Sequence, residues 1–405
     1  MNYNQIIEST ILELSTRVKE KAQKYPFRRQ LFQKVASNED RAFKAIIGPR
    51  GVGKTILLAQ LAQEKEYSVY ISADSLERGI NLFELVKALQ ERYGFRHIFI
   101  DEIHVNLTYQ KSLKNIYDFL DVKIYFTSSM ALSLVKSAYD LSRRVQLFEL
   151  HLFSFWEYLK LLGHDLEPLS FQDLIDNNFD LKLNHYARFF NDYLTGGALP
   201  YSRDVSDLKA AQKNVIDTVV EKDIPLSHKV NSDDIFYLKK AIEFIALAQA
   251  DGVNVTSLSK NLTLSKHKAQ KYIEILTKAF ILNSSTPYGS NIMKEPKILM
   301  YLPNRLIYSS FEQSIGALRE DFATSVFRYL EIDYHYLKTT RGAKSPDFYF
   351  QVSGAKIVCE IGGKNKGHSQ FKGLKGYDKK IVFRHTTNLR PGDFSLHLLG
   401  LVQSL

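Results

Sequence analysis

The chain has one cysteine, Cys359, in 405 residues. That excludes a disulfide framework and any zinc finger built on cysteine pairs, and it fits a reducing compartment. Long apolar runs are also missing. The stretch from Val145 to Leu162 is broken by Glu149 and Glu157, so no membrane span of about 20 apolar residues is expected. Met1 to Thr10 offers neither a basic n-region nor an apolar run, so no secretory signal is expected and the reading is cytoplasmic. There is no low-complexity tract and no internal repeat. What is present is a 45% hydrophobic, 12% aromatic composition. It suffices for packed cores, argues against wholesale disorder, and covers the length of about two or three domains.

The 54 Lys and Arg outnumber the 44 Asp and Glu, giving a net charge of +10. Such an excess points to a polyanionic partner without locating it. Residues 252–300 hold seven Lys, no Arg and two Glu; residues 361–390 hold six Lys and two Arg against Asp378 alone. These stretches net +5 and +7, so the rest of the chain nets −2. The basic character therefore belongs to the C-terminal third.

From about residue 42 to 150, strand and helix signals alternate. Phe43–Ile47, Ser68–Ile71, Ile98–Asp101, Val122–Thr127 and Val145–Leu150 read as strands. Lys54–Gln63, Asn81–Arg92 and Ala131–Leu141 read as helices. Strands separated by helices predict a parallel sheet covered on both faces. The first strand runs into Gly48-Pro49-Arg50-Gly51-Val52-Gly53-Lys54-Thr55, the spacing of a phosphate-binding loop between strand and helix. Its backbone N–H groups and the helix N-terminus favour phosphate. Lys54 would reach the β- and γ-phosphates, and the Thr55 hydroxyl would ligate Mg²⁺.

His97–Asp101 ends in an acid followed by Glu102, at the strand end where α/β sheets bind ligands. Asp101 would assist the metal and Glu102 would polarise the attacking water. Thr127 or Ser128, closing the next strand, could contact the γ-phosphate or the water, while Ser128 and Ser129 also suit helix capping. Arg143 or Arg144 could reach the nucleotide of a neighbouring subunit, or simply complete a helix C-terminus. His104 reads as a surface histidine.

These motifs, with Leu150–Tyr158 and with Tyr193-Leu194-Thr195-Gly196-Gly197-Ala198-Leu199-Pro200, resemble prokaryotic AAA-type ATPases. That family pairs the ATPase with a winged-helix and nuclease-like C-terminal half. The resemblance implies a helical lid after the sheet, packed on the adenine, and Gly196-Gly197 matches its Gly-Gly-x-Pro signature. The family usually reads Thr-Gly-Ser-Ser at the sensor strand; this chain reads Thr127-Ser128-Ser129, which leaves the sensor open by one position.

Asp233–Ala250 and Thr256–Leu262 read as helices, and Ser265 or Thr263 caps a third running to about Phe280. The third has Ala269, Tyr272, Ile273, Leu276 and Phe280 on one face and Lys266, His267, Gln270, Lys271 and Lys278 on the other. A strand pair around Pro287–Ser290 would complete a winged helix, with the basic face toward DNA. A module that only bridges domains or binds protein would look similar.

Asp347–Val352 and Ala355–Ile361 predict a hairpin with its turn at Ser353-Gly354. If Val352 faces Ala355, Asp347 lies opposite Glu360, and Phe348, Phe350, Val352, Ile357, Cys359 and Ile361 share the other face. Two like charges placed opposite destabilise a sheet, which suggests a divalent cation between them. Glu320, Asp347, Glu360 and Lys364 resemble the core of a PD-(D/E)xK nuclease, with metal on the acids and Lys near the scissile phosphate. The usual Glu-x-Lys is here Glu360-Ile361-Gly362-Gly363-Lys364, so Lys364 or Lys366 could still arrive, or the site could be retired and the fold used to bind branched or duplex DNA.

The expectation is an α/β chain, a P-loop AAA-type parallel sheet with a helical lid, then a winged helix and an α+β nuclease-like domain. Boundaries fall at 1–150 for the ATPase, 151–235 for the lid, 236–305 for the winged helix and 306–405 for the nuclease-like part. Such a protein would bind ATP and Mg²⁺, self-associate, leave membranes alone, and spend ATP acting on DNA by binding or remodelling it, branched DNA included. The alternatives are a STAND-like nucleotide switch in defence or signalling with a protein partner, and an ATP-gated, metal-dependent nuclease.

Overall fold

The structure, a computed structural model, describes residues 3–77, 79–129, 141–248, 253–289, 295–337 and 345–405. The helix expected over Ala131–Leu141 lies, apart from Leu141, outside the described residues, as does Ser290 of the expected wing. The chain divides into two compact units. The first contains Met1–His151 and Glu221–Val230; the second contains Leu152–Val220 and Asn231–Leu405.

The first unit is built on strands β1 (Phe43–Ile47), β2 (Ser68–Ser72), β3 (His97–Asp101), β4 (Lys123–Ser128) and β5 (Val145–Glu149). They form one sheet in the order β2-β3-β4-β1-β5, and every neighbouring pair is parallel. Near-continuous apolar runs explain this: Ala45, Ile46, Ile98, Phe99, Ile100, Ile124 and Phe126 are all buried, as strands covered on both faces require. The chain leaves β1 for β2 at the far edge, so a crevice opens where β1 meets β4. Ile47 pairs with Ser128 and Ser72 with Asp101, which aligns the carboxyl ends of the strands on one rim. The helix Lys54–Glu64 leaves that rim with Leu57, Leu58 and Leu61 buried, each worth roughly 1.5–3 kcal/mol of burial.

The second unit contains β6 (Leu169–Ser170), then the helices Ser232–Leu247, Val255–Asn261 and Lys266–Lys278, then β7 (Leu282–Ser285) and β8 (Lys297–Met300). β7 and β8 pair antiparallel. The helix Lys266–Lys278 is capped by Ser265 and buries Ala269, Tyr272, Ile273 and Leu276. After helix Phe311–Tyr329 come β9 (Tyr334–Tyr336), β10 (Phe348–Val352), β11 (Ala355–Gly362), β12 (Lys379–Arg384), β13 (Asp393–Ser395) and β14 (Val402–Ser404). β9 to β13 form a mixed sheet in the order β13-β12-β11-β10-β9. β9, β10 and β11 run antiparallel, while β11, β12 and β13 run parallel.

The hairpin register is the one the sequence predicts, with Val352 on Ala355 and Phe348 on Cys359. Its apolar face is fully buried. The opposite face is more apolar than expected, because Tyr349 and Val358 pack there with Val382 and Phe371. Among the described residues no helix is long and apolar enough to cross a membrane.

Candidate functional site

The phosphate-binding loop has the form its glycines demand. A Cβ on Gly48 would meet the Leu150 carbonyl oxygen at 2.2 Å, so only glycine lets the loop leave β1 beside that chain. Arg29, itself buried, donates to the Val52 carbonyl at 3.0 Å and the His151 carbonyl at 2.8 Å, which ties the loop to the chain beyond β5. Lys54 is buried, and its ammonium donates to the Gly48 and Pro49 carbonyls at 2.9 Å each. Burial lowers its pKa, opposed by the charges of Glu102 and Asp101. A desolvated cation curled onto its own loop is what an incoming phosphate would recruit.

The acids meet this loop at the sheet rim. Thr55 donates to Asp101 Oδ2 at 2.7 Å, and the Tyr70 hydroxyl donates to the same oxygen at 2.8 Å. Burial, then Asp101, pushes the Tyr70 pKa up, so Tyr70 stays a donor. Thr127 donates to Asp101 Oδ1 and accepts from the Glu102 N–H at 2.9 Å. Glu102 turns out of the strand at a positive φ of 49°, a conformation that is costly for a side-chain-bearing residue and that re-aims the carboxylate. Hydroxyl and carboxylate oxygens are the donor set Mg²⁺ prefers, so Thr55 and Asp101 fit the residues that would hold it.

Three residues of this rim are not flagged by the sequence. His104 is not a surface histidine, as its position after the strand suggests. It is buried, with Nδ1 at 3.2 Å from Glu102 Oε2 and 3.4 Å from the Ser128 hydroxyl. Burial lowers its pKa despite Glu102, favouring the neutral ring. Tyr70 comes from β2 with no motif around it. Asp223, 5% exposed, faces Arg50, whose Nη1 lies 3.0 and 3.1 Å from its two oxygens. Ser129 donates to the same carboxylate at 3.2 Å. Thus Thr127, Ser128 and Ser129 meet Asp101, His104 and Asp223 respectively. Arg143 is exposed. Arg144 is bound to Asp118, its Nε and Nη2 at 3.1 and 3.0 Å from Oδ1.

In the second unit, Lys266, His267, Gln270 and Lys271 lie exposed on one helix face. Lys266 is 3.7 Å from Glu295, and Lys278 is paired with Glu274.

The carboxylates expected to form a nuclease-like core meet two lysines, one of them among those the sequence offers. Glu320, Asp347 and Glu360 do converge, since all three raise the pKa of Cys359 after its burial. The lysine that arrives is Lys366, paired with Glu360. Lys364 is exposed, and its carbonyl accepts from Arg384 Nη1 at 2.5 Å. Gly362 explains the exchange, because a Cβ there would meet Lys366 Cγ at 2.5 Å. The glycine opens a path for Lys366 to fold back over the strand.

A second cation comes from β8, where Lys297 Nζ lies 2.5 Å from Glu320 and 3.9 Å from Asp347. Two ammonium groups therefore offset part of the charge of the three acids where the sequence suggests a divalent ion. Among the described residues no group of three or more His, Cys, Asp or Glu is arranged to hold a metal. In this arrangement Lys366 and Lys297 stand beside the acids expected to hold a cation. Burial, then Asp347, still raises the Glu360 pKa to about 7.

A family profile described as "AAA domain" matches residues 40–159, and one described as "Domain of unknown function (DUF8612)" matches residues 187–301. The chain is 27% identical to "Uncharacterized protein MJ1637" of Methanocaldococcus jannaschii, over 91% of this chain and 86% of that protein. Among solved structures it is similar to a point variant of Thermotoga maritima RuvB (TM-score 0.29, 18% identity, 68% of this chain and 90% of that one). It is also similar to Aeropyrum pernix ORC1 in complex with DNA (0.29, 12%, 74% and 93%) and to AMPPCP-bound DnaA from Aquifex aeolicus (0.25, 15%, 62% and 87%). The matched profile, the all-parallel sheet and the phosphate-loop geometry together give the first unit the character of an AAA-type P-loop ATPase domain.

Proposed function

We propose that the protein is an oligomeric AAA-type ATPase that hydrolyses ATP and acts on DNA through its basic second unit. The observation that carries the ATPase reading is the rim itself: buried Lys54, the Thr55–Asp101 hydrogen bond and Glu102 held beside Thr127 and His104. Gly48 to Thr55 would wrap the phosphates, Lys54 would meet the terminal ones, and Thr55 with Asp101 would hold Mg²⁺. Glu102 would orient the attacking water, with positioning worth most of the acceleration in phosphoryl transfer. Arg143, which is exposed, or Arg144, which pairs with Asp118, would serve as the finger toward a neighbouring subunit.

DNA action rests on the exposed face Lys266, His267, Gln270 and Lys271 and on the lysines between 361 and 390. The deciding measurement is the ATPase rate with single-stranded, duplex and four-way DNA across a salt series. A site using several lysines should lose affinity linearly in log–log form, with a slope near −0.9 per phosphate contacted on duplex DNA. A rate indifferent to every DNA would favour a nucleotide switch with a protein partner. The ATP-gated nuclease reading is weakened by the lysines seated on its carboxylates.

A further inference from the structure

The geometry points to Asp223 as a positioning residue that withholds Arg50 from the terminal phosphate of ATP. This deepens the ATPase reading and rests on it. Arg50 stands inside the phosphate loop, four residues before Lys54. In a loop that wraps phosphate, a guanidinium at this place is a natural partner for the phosphate that distinguishes ATP from ADP. Here its Nη1 lies within 3.1 Å of both oxygens of Asp223, a carboxylate almost removed from water. The Ser129 hydroxyl fixes the same carboxylate from the end of β4. The fields of Arg50 and Asp223 both reach Lys54 and His104, so the pair lies within the electrostatic reach of the phosphate loop.

A buried carboxylate beside a polyphosphate site works against binding. The extra charge of a γ-phosphate must repel Asp223 and compete with it for Arg50. ATP should therefore loosen the Arg50–Asp223 pair more than ADP does. The consequence is carried along the chain. Residues 221–230 group with the ATPase unit, yet the chain on both sides of them belongs to the second unit. Releasing Asp223 frees a segment tethered at both ends to the unit proposed to act on DNA. The pair would thus report the presence of γ-phosphate to the remainder of the protein.

The test uses the full chain and Mg²⁺, with fluorescent ATP and ADP analogues titrated into wild type, Asp223→Asn, Asp223→Ala, Arg50→Ala and the Arg50→Ala/Asp223→Asn double variant. Removing the charge at 223 should raise affinity for ATP relative to ADP by roughly fivefold or more. Arg50→Ala should lower the ratio, and Asp223→Asn should then raise it by less than it does in wild type, since only the direct repulsion is left to remove. In parallel, hydrogen exchange of residues 221–230 in wild type should be faster with a non-hydrolysable ATP analogue than with ADP. If the ratios are unchanged while the variants lose thermal stability, Asp223 is only a tether and the proposal is overturned. Equal exchange with both nucleotides overturns it without relying on any variant. A cooperatively folded wild type that binds neither nucleotide would instead bring down the ATPase reading, and this proposal with it.

Discussion

At the scale of single residues, what is legible in the sequence is what the chain brings together locally. Gly48 to Thr55 is contiguous, and Asp101 and Glu102 close one apolar strand, so the roles proposed for them are readable from spacing. Asp223 meets Arg50 across 173 positions, and nothing around Val219–Ser227 marks it. His104 departs from expectation for a different reason: three residues after Asp101, a polar side chain ordinarily reaches water, but Glu102 turns left-handed and the next turn goes inward. This yields a graded expectation. Lys54→Ala should abolish nucleotide binding, and Glu102→Gln should bind ATP normally while turnover collapses. His104→Ala should leave ATP affinity in place and reduce kcat about ten- to a hundredfold, the cost of a misaimed group next to the chemistry. A titration and a steady-state assay on the same samples separate these outcomes. Full turnover in Glu102→Gln would show that another group activates the water.

At the scale of elements, the hairpin β10–β11 is readable because alternation and a Ser-Gly turn specify register locally. What sits on its carboxylates is not, since Lys297 comes from β8, 50 residues before Asp347. The like charges that called for a divalent ion are answered by amines. Lys297, 10% exposed against a partner 11% exposed, is the more committed of the two. Lys297→Met should therefore destabilise the second unit by about 3 kcal/mol, the usual cost of stranding a buried charge, read as a lower denaturant midpoint at unchanged slope. The same arrangement implies that supercoiled plasmid survives Mg²⁺ or Mn²⁺ with ATP. Nicking by the wild type that disappears in Asp347→Ala would show instead that the acids serve a metal-dependent cleavage.

At the scale of the whole molecule, net charge predicts a polyanion but not the acid–base balance that holds the second unit together, because burial sets that balance and composition cannot report it. His385 and His397 are pushed down to about 4 by burial, with Arg319 adding to the effect at His385. His397 accepts from or donates to Ser395 at 2.7 Å and lies 3.2 Å from the Leu183 carbonyl, which suits the neutral ring with its proton on Nε2. Unfolding lets both rings take protons below about pH 6.5. The stability they contribute is present above that pH and lost as pH falls toward 4. Glu360, raised to about 7, works the other way: its contribution is full below about pH 4.5 and lost as pH rises to 7. Near pH 5.5 two histidines oppose one glutamate. These three groups together should make stability rise with pH by about 1 kcal/mol per unit, at roughly 1.4 kcal/mol per unit for each net proton. Glu360→Gln should about double that slope, whereas His397→Gln should bring it close to zero. Denaturant midpoints of the second unit's transition, followed from pH 5 to 6.5 in all three proteins, test the assignment through the differences in slope. Parallel curves would mean that these groups titrate alike in the folded and unfolded chain.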